Sequence, residues 1–163
     1  MRTHCRSPRL LATTLALALL AGCSDGERGD AEREAGPGEV PDVEERPEVE
    51  LPDGQPPDSL TVEDLAEGDG DEVEDGAMLT VHYVGFTWSG NEFASTWDRG
   101  QPLTYQHGEG RWVEGWQAGI EGMREGGRRR IVVPPELGYG QRGAPGVPAG
   151  ETLVFVVDLL AVG

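Results

Sequence analysis

The chain has 163 residues, with 30 Asp and Glu against 13 basic residues, and its formal net charge is −17 at pH 7. All of the basic residues are Arg. This balance argues against nucleic acid as a partner and against electrostatic attraction to anionic lipid. A chain of this length accommodates one ordinary domain with an additional segment.

The first 22 residues have the composition of a secretory signal peptide. Arg2, Arg6 and Arg9 form a positively charged start, and a largely apolar stretch follows over residues 10–20. This stretch is too short for a relaxed membrane span, which needs about 20 residues. The sequence therefore predicts a cleaved signal peptide over residues 1–22 and export from the cytoplasm.

The signal ends in Leu20-Ala21-Gly22-Cys23, which resembles the lipobox of bacterial lipoproteins. The resemblance implies that Cys23 is acylated and becomes the first residue of the mature chain, and an ordinary signal with an incidental Cys is the alternative. Several acyl chains on one Cys anchor a protein stably. We expect a lipid anchor on the outer face of the bacterial cell membrane, or on the periplasmic side of an outer membrane. The other cysteine, Cys5, would leave with the signal.

Residues 23–59 are expected to be the lipidated Cys followed by an acidic, disordered tether. From Ser24 to Ser59 there are 13 Asp and Glu, three Arg and no aromatic residue. Low hydrophobicity with high net charge does not offset the entropy lost on ordering. The sequence leaves open whether this segment is a spacer of selected length or a neutral linker.

From Leu60 onward, apolar residues recur in short segments that are rich in β-branched and aromatic residues, as in β-strands. Segments rich in Gly and Pro separate them, and the longest of these is a loop over residues 138–150. The predicted strands cover residues 60–65, 78–86, 103–105, 128–133 and 153–160.

One helix is predicted between the third and fourth of these strands. Its apolar stripe at i, i+3, i+4 and i+7 consists of Val113, Trp116, Gln117 and Ile120. Gly115 and Gly119 weaken its intrinsic propensity, so tertiary packing must hold it. Several strands with one short helix predict an α+β domain over residues 60–163, an antiparallel sheet packed on a helix.

Seven short motifs follow one another at fixed intervals along this domain. They are Val81-His82-Tyr83-Val84-Gly85, Gly90-x-x-Phe93-Ala94-Ser95-Thr96, Val113-Glu114-Gly115-Trp116-x-x-Gly119-Ile120-x-x-Met123, Gly127-x-Arg129, Ile131-x-Val133-Pro134, Tyr139-Gly140 and Thr152-Leu153-Val154-Phe155-x-Val157-x-Leu159-Leu160. In order and spacing the series resembles the FKBP-type peptidyl-prolyl cis/trans isomerase domain. The resemblance implies an antiparallel sheet half-wrapped around one short helix, with an apolar pocket between them.

The resemblance also assigns residues to this pocket. Those expected to be catalytic are Tyr83, Phe93, Trp116, Tyr139 and Phe155. Those expected to bind the substrate are Leu103, at a position where the family usually has an aromatic residue, Val113, Val147 in the loop and Trp112 at the rim. Trp116 would form the floor, and the Tyr139 hydroxyl would point at the carbonyl oxygen of a bound X-Pro peptide.

One departure from the family pattern bears on catalysis. Ala94 stands where an Asp usually follows the Phe, and Ala94 cannot accept a hydrogen bond inside the pocket or face the substrate carbonyl with a carboxylate. Two functions that use the pocket therefore stay open. One is an active prolyl isomerase that assists the folding of exported proteins, and the other is a weakly catalytic module that binds proline peptides or acts as a chaperone. A structural lipoprotein whose pocket is vestigial is a third alternative.

Both functions imply the same partners. X-Pro-containing polypeptides would bind in the pocket, and macrolide ligands of the immunosuppressant type would fill it. Neither function requires a cofactor or a metal ion, because isomerisation breaks no covalent bond. We expect the domain to be a monomer, since no long apolar surface stripe is evident in its sequence.

Alternation along the strands separates two other polar groups from this pocket. His82 is next to Tyr83 and is expected on the opposite face, with a structural role. Arg129 is expected on the face opposite Arg128 and Arg130, so these three residues do not form one basic patch.

Overall fold

The computed structural model describes residues 45–163, so the predicted signal peptide, Cys23 and the first part of the predicted tether lie outside the described residues. No helix in residues 45–163 is both long enough and apolar enough to cross a membrane.

The described part of the chain is an α+β domain, as the sequence predicts. Its strands are β1 (Thr61–Ala66), β2 (Met78–Thr87), β3 (Glu92–Ser95), β4 (Leu103–Gln106), β5 (Arg128–Val133) and β6 (Leu153–Val162). The helix α1 (Glu114–Ile120) connects β4 to β5. Two short 3-10 turns, Pro135–Leu137 and Gly140–Arg142, lie between β5 and β6.

The six strands form one sheet in which every pair is antiparallel. The strand order is β1-β5-β6-β2-β3, and β4 pairs with β2 beside β3. Along this edge of β2, β4 pairs with residues 78–81 and β3 pairs with residues 84–86. Two residues of β2, His82 and Tyr83, therefore lie between the two short strands.

The helix packs on β5 so closely that its two glycines are needed. A Cβ on Gly115 would clash with the side chain of Val133, and a Cβ on Gly119 would clash with that of Ile131. These glycines weaken the helix in isolation, but they allow its backbone to approach the sheet. The close approach buries Trp116 almost completely.

Arg129 joins the helix to β1, and its direction agrees with the predicted alternation. Its guanidinium donates at 3.1 Å to the carbonyl oxygens of Gly119 and Glu121, where α1 ends. It also pairs with the carboxylate of Asp64 at 2.6 Å. A buried Arg thus satisfies carbonyls that a helix terminus leaves without partners.

The face of the sheet away from α1 is also apolar and buried. Cross-strand register places Val132 opposite Val154, and Val156 opposite Val84, on this face. All four side chains are at most 4% exposed, although they do not belong to the core cluster beneath the helix. A second layer of chain must therefore cover them.

Residues 45–59, which the sequence assigned to the disordered tether, lie against this outer face, and we call them the strap. Three backbone carbonyls of the strap accept hydrogen bonds of 3.3 Å, that of Glu45 from Arg128, that of Glu50 from Arg130 and that of Gly54 from the indole of Trp88. The side chain of Arg46 in the strap also forms ion pairs with Glu92 and Asp98. Pro47 is buried. The composition of residues 23–59 did not predict this packing, because the apolar residues of the strap are buried only against a face that forms when the domain folds.

Candidate active site

An aromatic cavity of about 250 Å³ opens between α1 and the inner face of the sheet. Its lining consists of Tyr83, Phe93, Ala94, Arg111, Trp112, Val113, Trp116, Tyr139, Ala144, Pro145 and Phe155. The fold thus brings together all five residues predicted to be catalytic and two of the four predicted to bind substrate. Arg111, Ala144 and Pro145 were not predicted as site residues.

Trp116 forms the floor of the cavity. Its ring lies edge-on to the rings of Tyr83, at a centroid distance of 5.0 Å, and Phe155, at 5.1 Å. Trp112 stacks on it at 5.6 Å. Edge-to-face and stacked contacts of this kind fix ring orientation as well as burying area. The floor is consequently apolar, and its ring is packed on several sides.

Tyr105 on β4 supports this floor, and it was not predicted as a site residue. The indole N–H of Trp116 donates a 2.9 Å hydrogen bond to the Tyr105 hydroxyl. Burial raises the pKa of Tyr105 to about 12, although the hydrogen bond from Trp116 acts in the opposite direction. The hydroxyl therefore stays protonated at physiological pH. Strand alternation from Leu103 could have predicted that Tyr105 faces inward, but it could not have predicted the hydrogen bond with Trp116.

Leu103 and Val147, two predicted substrate contacts, do not line the cavity. Leu103 is partly buried and packs against the core. Val147 is 4% exposed and turns into the core, and its backbone exchanges two hydrogen bonds with Ala144. Ala144 and Pro145 therefore present this loop to the cavity in place of Val147.

Tyr83 is held by Thr96, which occupies the gap between β3 and β4. The Tyr83 N–H donates to the Thr96 hydroxyl at 2.8 Å, and the Thr96 N–H donates to the Tyr83 carbonyl at 3.0 Å. Thr96 is 1% exposed. The side chain and backbone of Thr96 thus replace the missing strand partner and fix the position of Tyr83 in the cavity wall.

Tyr139 stands at the mouth of the cavity and is 37% exposed. Burial, and to a smaller extent the neighbouring Tyr83, raise the pKa of Tyr139. Its hydroxyl therefore keeps its proton at neutral pH and can donate a hydrogen bond to a group bound in the cavity.

Ala94 leaves the β3 side of the cavity without a carboxylate. The guanidinium of Arg99 contacts the cavity wall instead, since its Nη2 lies 3.5 Å from the Tyr83 hydroxyl, at the outer limit of a hydrogen bond. Arg111 lines the cavity, and no acidic side chain is among its lining residues. The polar groups of the cavity are thus hydroxyl and guanidinium donors.

His82 lies on the face of β2 opposite Tyr83, as alternation predicts. Its ring stacks on Trp97 at 4.2 Å, and its Nδ1 lies 2.8 Å from the Thr96 hydroxyl. Burial lowers the pKa of His82, and the nearby Asp158 opposes this shift. Within residues 45–163, no group of three or more His, Cys, Asp or Glu is arranged to hold a metal ion.

Comparisons with known proteins agree with this geometry. A family model described as FKBP-type peptidyl-prolyl cis-trans isomerase matches residues 70–160. The FK506-binding protein of Streptomyces anulatus is 49% identical over 121 residues, which cover 72% of this chain and 98% of the relative. The FK506-binding protein of Neisseria meningitidis serogroup A is 50% identical over 105 residues, covering 64% and 96%.

A solved structure has the same fold. The crystal structure of FkpA from Escherichia coli superposes with a TM-score of 0.59 at 37% sequence identity. The superposition covers 63% of this chain and 47% of FkpA, so this chain matches about half the length of that protein.

Proposed function

The chain belongs to the family of FKBP-type peptidyl-prolyl cis-trans isomerases, and from this membership and its aromatic cavity we propose that it is an active prolyl isomerase that assists the folding of exported proteins. The observation that carries the proposal is the cavity itself. Five side chains predicted to be catalytic converge on it from β2, β3, α1, β6 and the loop after β5. Polypeptides containing X-Pro bonds are the proposed substrates.

The chemistry of isomerisation requires little more than this cavity. Rotation about a peptide bond meets a barrier of about 18–20 kcal/mol, because resonance makes the C–N bond partly double. At the twisted transition state the amide loses resonance and its oxygen carries less charge. An apolar cavity that excludes water therefore penalises the planar, polar amide more than the twisted one. The cavity accelerates rotation through this difference in binding.

The aromatic floor and one hydroxyl supply the contacts that this mechanism uses. The proline ring packs on Trp116, between the rings of Tyr83 and Phe155, because an aliphatic ring buries well against aromatic faces. The Tyr139 hydroxyl donates a hydrogen bond to the carbonyl oxygen of the bound peptide. No nucleophile or proton shuttle takes part, since no covalent bond is broken.

Ala94 supports a second candidate function, a module that binds proline peptides without useful catalysis. We favour catalysis, because removing one carboxylate from an otherwise intact apolar cavity lowers the rate of a mechanism based on desolvation but does not abolish it. Both functions use the same cavity. The same cavity is also the proposed site for macrolide ligands, in keeping with the names of the FK506-binding relatives.

A proline-limited refolding reaction separates the two functions. The chain from Ser24 to Gly163 would be compared with Ala94→Asp and with the uncharged, isosteric Ala94→Asn. We expect the parent chain to accelerate the slow refolding phase. Acceleration by Ala94→Asp alone would identify a binding module that has lost its rate enhancement at this position. No acceleration by any of the three would contradict the isomerase proposal.

We also propose that the chain is exported and anchored through lipid on Cys23, with the domain acting as a monomer outside the cytoplasm. The basis is the predicted signal peptide and the lipobox-like Leu20-Ala21-Gly22-Cys23. In a bacterial host, the full chain should incorporate a palmitate label and sediment with membranes. Cys23→Ser should do neither. Labelling that survives this substitution would contradict the proposed anchor.

A further inference from the structure

The Arg residues of the domain divide into two groups. Residues 45–163 contain eight Arg, and five of these form ion pairs with carboxylates of the described chain, namely Arg46, Arg124, Arg128, Arg129 and Arg130. Within the same part of the chain, Arg99, Arg111 and Arg142 pair with no carboxylate. Of these three, Arg111 lines the aromatic cavity, and Arg99 reaches the hydroxyl of Tyr83 in the cavity wall. In a chain with more than twice as many acidic as basic residues, this distribution points to a ligand that supplies the missing carboxylate.

Arg99 has an acidic neighbour in sequence, but the strap engages that neighbour. Arg46 donates to Asp98 at 2.9 Å and to Glu92 at 2.5 Å, so one guanidinium pairs with a carboxylate at the start of β3 and with another that follows the strand. Asp98 is thereby paired away from Arg99. The Arg99 guanidinium instead reaches the Tyr83 hydroxyl in the cavity wall.

Ala94 removes the other acidic group that this wall could have offered. It lines the cavity beside Phe93, close to Tyr83. A carboxylate at this position would lie near the hydroxyl that Arg99 contacts and would neutralise the guanidinium. With Ala94, the charged side chain that lines the cavity, Arg111, and the one that contacts its wall through Tyr83, Arg99, both carry positive charge.

We propose that this site selects X-Pro segments that carry an Asp or Glu beside the proline, whose carboxylate is bound by Arg99 and Arg111. The inference rests on the proposed prolyl isomerase site and names its preferred substrate class. A guanidinium suits this task, because its planar array of donors matches a carboxylate. The net charge of the whole chain repels acidic peptides, so the preference must arise from these local contacts.

The expected size and salt dependence of this preference follow from the solvent exposure of the two Arg side chains. Both Arg side chains are exposed, and single exposed ion pairs change affinities by only about two-fold to five-fold. Salt screens such pairs, since the Debye length falls from about 10 Å at 0.1 M to about 3 Å at 1 M. We therefore expect a modest preference that is largest at low ionic strength.

The test uses two peptides that differ only in one residue before the proline, Ala-Glu-Pro-Phe and Ala-Gln-Pro-Phe. The chain from Ser24 to Gly163 would catalyse their exchange in a protease-free NMR assay. We expect kcat/KM to be about two-fold to five-fold higher for the Glu peptide at low salt. Adding about 1 M salt should bring the ratio close to one.

Three variants test which Arg side chains produce the preference for the Glu peptide. Arg99→Gln and Arg111→Gln should each lower the Glu-to-Gln ratio, whereas Arg142→Gln should leave it unchanged. Arg142 is the matched control, because it is exposed, pairs with no carboxylate of residues 45–163 and does not line the cavity. A ratio that falls equally in all three variants would show a general charge effect and would contradict the proposal.

Arg46 provides a separate readout as a positioning residue. Arg46→Gln should release Asp98 and lower the ratio, although Arg46 does not line the cavity. A purely structural role of Arg46 would change stability but leave the ratio unaltered. Thermal unfolding of the same variant distinguishes the two effects.

Failure of the isomerase proposal can be told apart from failure of this one. If neither peptide is accelerated, the dissociation constants of the two peptides, measured by NMR titration, still give the Glu-to-Gln ratio. Tighter binding of the Glu peptide would then support the proposed selection of acidic segments, while the proposal of isomerase activity would be contradicted. Equal rates and equal affinities, or no detectable binding of either peptide, would overturn the inference.

Discussion

The indole N–H of Trp116 donates a 2.9 Å hydrogen bond to the hydroxyl of Tyr105, and both side chains are buried. The bond joins the helix that forms the cavity floor to the short strand β4. A buried donor that loses its acceptor retains the full cost of its desolvation, which is about 1–3 kcal/mol. This contact therefore links the geometry of the cavity to the stability of the domain.

Tyr105→Phe should lower the free energy of unfolding by about 1–3 kcal/mol, because it leaves the Trp116 N–H without its partner. Chemical denaturation followed by tryptophan fluorescence measures this loss. Tyr139→Phe is the matched control, since Tyr139 is partly exposed at the mouth, and it should change stability by less than about 0.5 kcal/mol. Equal stabilities of the two variants would contradict the role given to Tyr105.

Trp116→Ala should reduce kcat/KM far more than Tyr139→Phe. The first substitution removes the floor and costs about 3–5 kcal/mol of stability, as is usual for a buried Trp. The second removes one hydrogen bond, worth about 0.5–1.5 kcal/mol, and should lower kcat/KM by no more than about ten-fold. Activity would be normalised to the folded fraction measured by circular dichroism. Full activity of folded Trp116→Ala would show that Trp116 does not form the floor of the catalytic site.

Removal of the strap should destabilise the domain. A chain that begins at residue 60 uncovers the outer face at Val132, which lies beside Pro52 and Pro57 of the strap. It also loses the hydrogen bonds from Arg128, Arg130 and Trp88 and the ion pairs of Arg46. We expect a loss of about 1–3 kcal/mol in urea unfolding and new binding of a hydrophobic dye. A chain that begins at residue 45 should match the longer chain from Ser24.

Identical urea midpoints for the chains that begin at residues 45 and 60 would contradict the structural role of the strap. Equal losses for both shortened chains would instead assign the stability to residues before Glu45. The comparison therefore distinguishes the strap from the remainder of the predicted tether.

The pH dependence of stability should report His82. Burial lowers its pKa in the folded state below the usual 6.5, so the unfolded chain binds this proton first as the pH falls. Stability contributed by the neutral imidazole is therefore complete above about pH 7.5 and falls as the pH drops through 6.5 towards the lowered value. His82→Gln should remove this dependence.

The quantity to measure for His82 is the difference in unfolding free energy between the parent chain and His82→Gln from pH 5.5 to pH 8. Asp158, which lies near His82, is present in both proteins, so its own titration largely cancels. The parent should lose stability relative to the variant on acidification. A constant difference across this range would contradict the burial of a neutral His82.

The sequence predicted the inner half of this domain well, because that half is encoded by local periodicity and motif order. Alternation along β2 placed Tyr83 and His82 on opposite faces, and the spacing in α1 placed Trp116 towards the core. The order of the motifs then predicted that Phe93, Tyr139 and Phe155 meet Trp116 at one pocket. Each of these inferences needs only the direction of a side chain from its own element.

Tertiary structure alone decided the contacts between distant parts of the chain. The pairing of Arg46 with Asp98 spans 52 positions, and no local pattern in either segment specifies it. Val147 turned into the core because the loop closed through its backbone bonds to Ala144. The strap packs on an apolar surface that forms only when β5, β6 and β2 pair. Which face a residue occupies is local information, whereas which partner it meets there depends on the path of the whole chain.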